Sequence, residues 1–174
     1  MAIALDYFLK RNLKEGEERK VLALAIIDED NRMRMFNAMN VDDCSEYLGE
    51  RARIITYDNT IRNLYPYFTP EFIEDYELNK KVFDMFNYLK KETGHDISLS
   101  QLALATLGID KELSRLPRNY DDSRLVEIEE KLEARARYIR DLWEFGLKKG
   151  YLFYYIRGLR EKVEVMFNDN YFAD

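Results

Sequence analysis

The stretch from Asp121 to Lys149 reads as one long amphipathic helix that carries an arginine in line with its apolar stripe. Leu125, Ile128, Leu132, Ile139, Leu142 and Gly146 recur at helical spacing, and the register between Leu132 and Ile139 falls on Arg135. Taking a lone guanidinium out of water costs several kcal/mol, so one on a buried stripe has to be paired. The fold is therefore expected to hold a carboxylate that meets this helix.

Size and composition allow such a core. The chain has 174 residues and 47% hydrophobic content, enough for one globular domain spanning residues 1–174. Aromatics reach 14%, which reads first as packing and only second as a platform for stacking bases. The net charge is −6, which lowers the expectation of nucleic-acid binding without excluding it. Its basic runs, Lys10–Lys14, Arg115–Arg118 and Arg135–Arg140, are short and interleaved with acids, as a solvated face would be.

The single cysteine, Cys44, rules out an internal disulfide and points to a reducing compartment. His95, the one histidine, follows Gly94 at an expected helix end, so neither a Cys–His dyad nor a zinc site is expected. Asp6, Lys10 and Arg11 break up any apolar run near the start, so no signal peptide is expected. No window approaches the ~18 to 20 apolar residues of a membrane span, and a cytoplasmic protein is the expectation.

Local patterns predict the elements. Ala2–Tyr7 and Val21–Ile27 are apolar runs of strand length, and Arg32–Asn37 alternates with period two. The turn-forming run Asp28–Asn31 lies between the last two, giving a three-stranded meander. Val41–Asp43 is expected to open a short helix with an aspartate as its cap. Arg53–Tyr57 reads as a fourth strand and Asn59–Leu64 as a short helix stopped by Pro66. Lys81–Phe83 is a fifth strand, after which Asp84 caps a helix ending at Gly94. Ser98 and Gln101 form a capping box for Leu99–Leu107, with Gly108 as the stop. After the long helix, Tyr151–Ile156 and Lys162–Phe167 are expected to close a hairpin around Arg157-Gly158. The order implies an α/β domain with a mixed five-stranded sheet flanked by helices and a C-terminal β-hairpin.

That order is the order of the ribonuclease H-like fold, and two segments narrow it. KVFDMFNYLKKETGHDISLSQLALATLGIDK (Lys81–Lys111) and RDLWEFGLKKGYLFY (Arg140–Tyr154) resemble the three-prime to five-prime exonuclease superfamily known as the DEDD nucleases. The likeness is strongest to its branch in microbial helicase-linked domains. It lies in an aspartate opening a helix, a Gly-His step, the Ser-Leu-x-x-Leu-Ala-x-x-x-Leu-Gly run, and a last helix leading to Phe-Gly and Gly-Tyr-Leu.

The resemblance implies a site of four carboxylates holding two divalent ions that clamp a phosphodiester. In the family the first strand supplies an Asp-x-Glu pair, a later helix an Asp, and the last long helix another Asp preceded by a water-orienting Tyr or His. Here Asp6 matches the first Asp, while Phe8 stands in place of the Glu. Asn63 aligns with the second Asp, Arg135 with the last Asp, and Lys131 with the orienting residue. Asp84 matches an aspartate beside the centre. The expectation is that Arg135 pairs with Asp6, Asp84 or both and takes the place of the metal, leaving no bound Mg²⁺ or Mn²⁺ and no hydrolysis.

Three functions follow as expectations. One is a non-catalytic module for nucleic acid or a protein partner. Another is an active metal-dependent exonuclease with displaced ligands drawn from Asp58, Glu130 and Asp141. The last is a structural homo-oligomer formed through the aromatic hairpin and tail, at Tyr151, Phe153, Tyr155, Tyr171 and Phe172.

Overall fold

A computed structural model of the chain describes residues 2–9, 21–28, 30–37, 40–48, 53–58, 64–65, 68–71, 73–74, 82–109, 116 and 124–167. Strand β1 (Ala2–Leu9) pairs antiparallel with β2 (Val21–Ile27), which pairs antiparallel with β3 (Met33–Asn37). On its other side β1 runs parallel to β4 (Arg53–Thr56), and β4 parallel to β5 (Val82–Asp84). The sheet order is therefore β3-β2-β1-β4-β5, a mixed five-stranded sheet. A second, two-stranded sheet holds β6 (Tyr151–Ile156) and β7 (Leu159–Glu164).

Both faces of the larger sheet are buried, which explains why β2 is apolar throughout. On one face Ala4, Phe8, Ala23, Ala25 and Ile55 pack against Ile128, Leu132, Ala136, Ile139 and Leu142 of the long helix α4 (Leu125–Lys149). On the other, Ile3, Leu5, Leu24, Ile26 and Ile54 meet Val41, Leu48, Leu64 and Phe68. Cys44 opens the short helix α1 (Cys44–Leu48) on that second face; it is fully buried, and burial pushes its thiol up to about 12. A thiol so raised is not a nucleophile at neutral pH.

Capping chemistry sets the remaining helices. Asp84 caps α2 (Met85–Thr93), which stops at Gly94 in the left-handed conformation. The capping box of Ser98 and Gln101 opens α3 (Leu99–Leu107), which stops at left-handed Gly108. Helix α3 is tied to β6 by Thr106, whose hydroxyl donates to the Phe153 carbonyl at 2.7 Å and accepts from the Phe153 amide at 2.9 Å. Helix α4 ends at Gly150, and its Gly146 receives the Phe167 ring, which stacks on Trp143 at 4.5 Å between centroids.

Several sequence expectations need correction. The 3-10 turn Val41–Asp43 is preceded by Asn40, whose side chain makes no cap bond to it and accepts from the Asn37 amide at 2.8 Å. The second hairpin strand begins at Leu159 and not at Lys162. Arg157 and Gly158 both hold positive φ, 49° and 81°, so a two-residue turn of the primed type lets the ladder start at once with Ile156 opposite Leu159. Strand β1 runs on to Leu9, two residues past the expected end, because Phe8 and Leu9 continue its pairing with β2. The expected helix at Asn59–Leu64 falls largely outside the described residues. No helix among those described is long and apolar enough to cross a membrane.

Of the hairpin aromatics, Tyr155 is exposed and Tyr151 and Phe153 are half-buried, while Tyr171 and Phe172 lie outside the described residues. Two of these rings carry cations from β7: the Arg160 guanidinium sits 3.8 Å from the Phe153 centroid, and Lys162 Nζ 4.7 Å from that of Tyr151. Strand β7 is mostly charged (LREKVE), a composition that discourages edge-to-edge pairing.

Candidate functional site

Alternation along β1 puts Ala4, Asp6 and Phe8 on the face that meets α4. Asp6 lies opposite Ala25 of β2 and has no solvent exposure at all. A carboxylate buried in an apolar layer needs a partner, and Arg135 supplies it. Its Nε donates to Asp6 Oδ2 in a charge-assisted hydrogen bond, with the arginine side chain 17% exposed. The centre of the α4 stripe passes through Leu132, Ala136 and Ile139, all fully buried. Arg135 stands one position to the side of Ala136, where a small residue on the axis lets the long side chain reach across to the sheet.

Phe8 is buried in the same core and offers no oxygen where the resemblance calls for a ligand. Lys131, one turn before Arg135, is half-buried and pairs with Glu127 Oε1 at 3.4 Å. Asn63 lies outside the described residues.

The two acids nearest the sheet end are Asp84 and Asp58, and Asp84 is the helix cap its place in the sequence leads one to expect. Asp84 has its oxygens engaged by the start of α2: Oδ1 accepts from the Phe86 amide at 2.9 Å and the Asn87 amide at 3.4 Å, and Oδ2 from Asn87 Nδ2 at 2.8 Å. Oδ1 also accepts from the Asp58 amide at 3.1 Å, which fastens the end of β4 to the start of α2. Burial raises the Asp84 carboxyl above its ordinary value, the backbone donors work against that, and the neighbouring Asp58 charge adds to it.

Asp58 follows β4 with φ of 56°, a left-handed conformation that aspartate tolerates better than most residues. The residue is exposed, but partial desolvation still raises its carboxyl; Arg135 and Lys90 oppose the shift, and Asp96 and Asp6 reinforce it. No hydrogen bond to this carboxylate is made among the described residues.

Asp58, unlike Asp84, borders a crevice of about 350 Å³. It opens beyond the carboxyl ends of the parallel strands β4 and β5, where open α/β sheets commonly bind ligands. Tyr57, Phe86, Ile97 and Leu99 form its apolar wall, Asp58, Asp96 and Ser98 its polar lining, and Arg135 reaches it from α4. The Tyr57 hydroxyl donates to the Ile97 carbonyl at 2.5 Å; burial pushes its ionisation upward, so it stays a neutral donor. Asp96 pairs with Lys90 at 2.8 Å on an exposed surface.

Sequence reasoning found Asp6, Asp84 and Arg135 but not the crevice wall. No sequence pattern groups Tyr57, Phe86 and the Asp96–Leu99 segment, which lie in separate parts of the chain. Of the displaced-ligand candidates Asp58 lies here, whereas Glu130 and Asp141 are exposed on other faces of α4. Among the described residues no group of three or more His, Cys, Asp and Glu is close enough to hold a metal ion. No protein-family model, curated protein or solved structure matches this chain.

Proposed function

We propose that this protein is a ribonuclease H-like domain, of the exonuclease type, in which metal-dependent hydrolysis has given way to binding in the same crevice. The observation that carries the reading is the ion pair between Arg135 and the buried Asp6. A strand order of β3-β2-β1-β4-β5, with a meander followed by two parallel strands, supports the fold assignment.

The chemistry follows from charge. Two-metal hydrolysis needs several carboxylates with free oxygens around two divalent ions. Asp6 is engaged by a guanidinium, Asp84 by the N–H groups of α2, and Phe8 has no oxygen to give. At ~4 Å, a guanidinium repels a divalent ion by about 8 kcal/mol at an effective dielectric of 20, twice the value for two unit charges. Arg135 is thus a covalently attached substitute for the metal: it neutralises Asp6 and keeps the site folded, but cannot activate water.

Calorimetric titration with Mn²⁺, together with a cleavage assay on labelled single-stranded DNA and RNA, tests the reading. The expected result is no saturable Mn²⁺ binding and no cleavage above background. Cleavage stimulated by Mn²⁺ and abolished by Asp6→Ala would overturn it.

A further inference from the structure

We propose that the crevice receives the cationic end of a lysine or arginine side chain presented by a protein partner. This deepens the reading of the protein as a non-hydrolytic binding module and rests on it. The shape of the groove and its charge both enter.

The first consideration is the wall. Phe86, Ile97 and Leu99 offer an apolar surface to one side of a polar lining, which suits a side chain with an aliphatic stem and a charged head. The half-buried Phe86 ring already has a cation near it, with Lys90 Nζ 5.9 Å from its centroid.

Charge balance is the second consideration, and it decides between partner classes. The charged side chains lining the crevice are Asp58, Asp96 and Arg135, with Lys90 paired to Asp96 and the buried Asp6 paired to Arg135. Three carboxylates against two cations leave an excess of one negative charge among these described residues. Arg135 is bound to Asp6. Lys90 and Asp96 meet with more than half of each side chain exposed, so their attraction is weak and easily exchanged. The excess therefore rests largely on Asp58, whose carboxylate accepts no hydrogen bond from the described residues. An incoming ammonium or guanidinium relieves this excess, whereas a phosphodiester adds to it. Nucleic acid is accordingly the disfavoured occupant.

Fluorescence polarisation with labelled peptides tests the proposal on the intact chain. A peptide of alternating lysine and glycine is expected to bind saturably, and its glutamate counterpart and an oligo-dT strand are not. Asp58→Asn is expected to weaken the lysine peptide by about tenfold, with a further loss on adding Asp96→Asn. Glu46→Gln, an exposed acid on α1 across the sheet, is expected to leave binding unchanged. Equal weakening by Glu46→Gln, indifference to Asp58→Asn, absence of saturable binding, or tighter binding of oligo-dT would each overturn the proposal. A chain that neither cleaves nucleic acid nor binds the lysine peptide loses this inference alone; Asp6-dependent cleavage removes the reading beneath it.

Discussion

Arg135 and Asp6 stand 129 positions apart in the chain and meet as a hydrogen-bonded ion pair between the centre of α4 and the middle of β1. The guanidinium compensates the charge of a carboxylate that has no exposure to water. Arg135→Ala is expected to destabilise the protein by about 3–5 kcal/mol, because it leaves a fully buried carboxylate without its charge partner. Asp6→Ala should cost a similar amount. The double variant Asp6→Leu with Arg135→Leu should recover much of the loss, since a well-packed apolar pair replaces a buried ion pair at little cost. Urea unfolding of the three variants measures this, and additive losses would show that the two groups act independently.

Asp84 is expected to behave as a structural residue. Its carboxylate satisfies the first amides of α2 and holds the Asp58 amide as well. Asp84→Ala should therefore cost about 1–2 kcal/mol, the usual loss for a helix cap. Asp84→Asn should recover part of it, because an amide oxygen still accepts those bonds. Thermal unfolding of the two variants provides the comparison.

Gly146 is the one glycine of α4 whose missing side chain is required by packing. A Cβ there would drive into the Phe167 ring and come within 3.1 Å of Val165. Alanine raises helix propensity by about 1 kcal/mol. Overpacking of a tight contact costs about 1–3 kcal/mol, so Gly146→Ala should be neutral to destabilising overall. Gly146→Ala combined with Phe167→Leu should be more stable than the sum of the single changes predicts, as denaturant titration would show.

The Asp58 carboxyl titrates above its ordinary value of 3.8 in the folded protein, chiefly through partial desolvation. A carboxyl with a raised folded pKa binds its proton more tightly in the native state. Its ionisation therefore removes stability as pH rises from about 3.8 through the folded value. Below that window both states are protonated and the cost is absent. Asp58→Asn keeps a residue suited to the left-handed backbone and cannot ionise. Its melting temperature relative to wild type should rise between pH 3 and pH 7; a fall over that range would mean that attraction to Arg135 outweighs desolvation.

Much of the fold could be read from local chemistry because the signals were local. Asp84, Ser98 with Gln101, Gly94, Gly108 and Gly150 mark helix ends by hydrogen bonds and left-handed backbone within a few residues of themselves. The uninterrupted apolar run of β2 announced a strand covered on both faces, and the register of α4 placed a cation where only a paired one could stay. What no local pattern contained was the identity of the partner. Asp6 and Asp84 were equal candidates for Arg135 in the sequence. The sheet separated them by orienting Asp6 toward α4 and by giving the oxygens of Asp84 to the amides of α2. The crevice wall was hidden for the same reason: Tyr57, Phe86 and Leu99 belong to three different elements, and only their packing makes one surface of them. Helix caps and strand patterns are short-range consequences of backbone geometry, whereas charge pairing and cavities depend on which distant atoms the closed fold brings within a few ångströms.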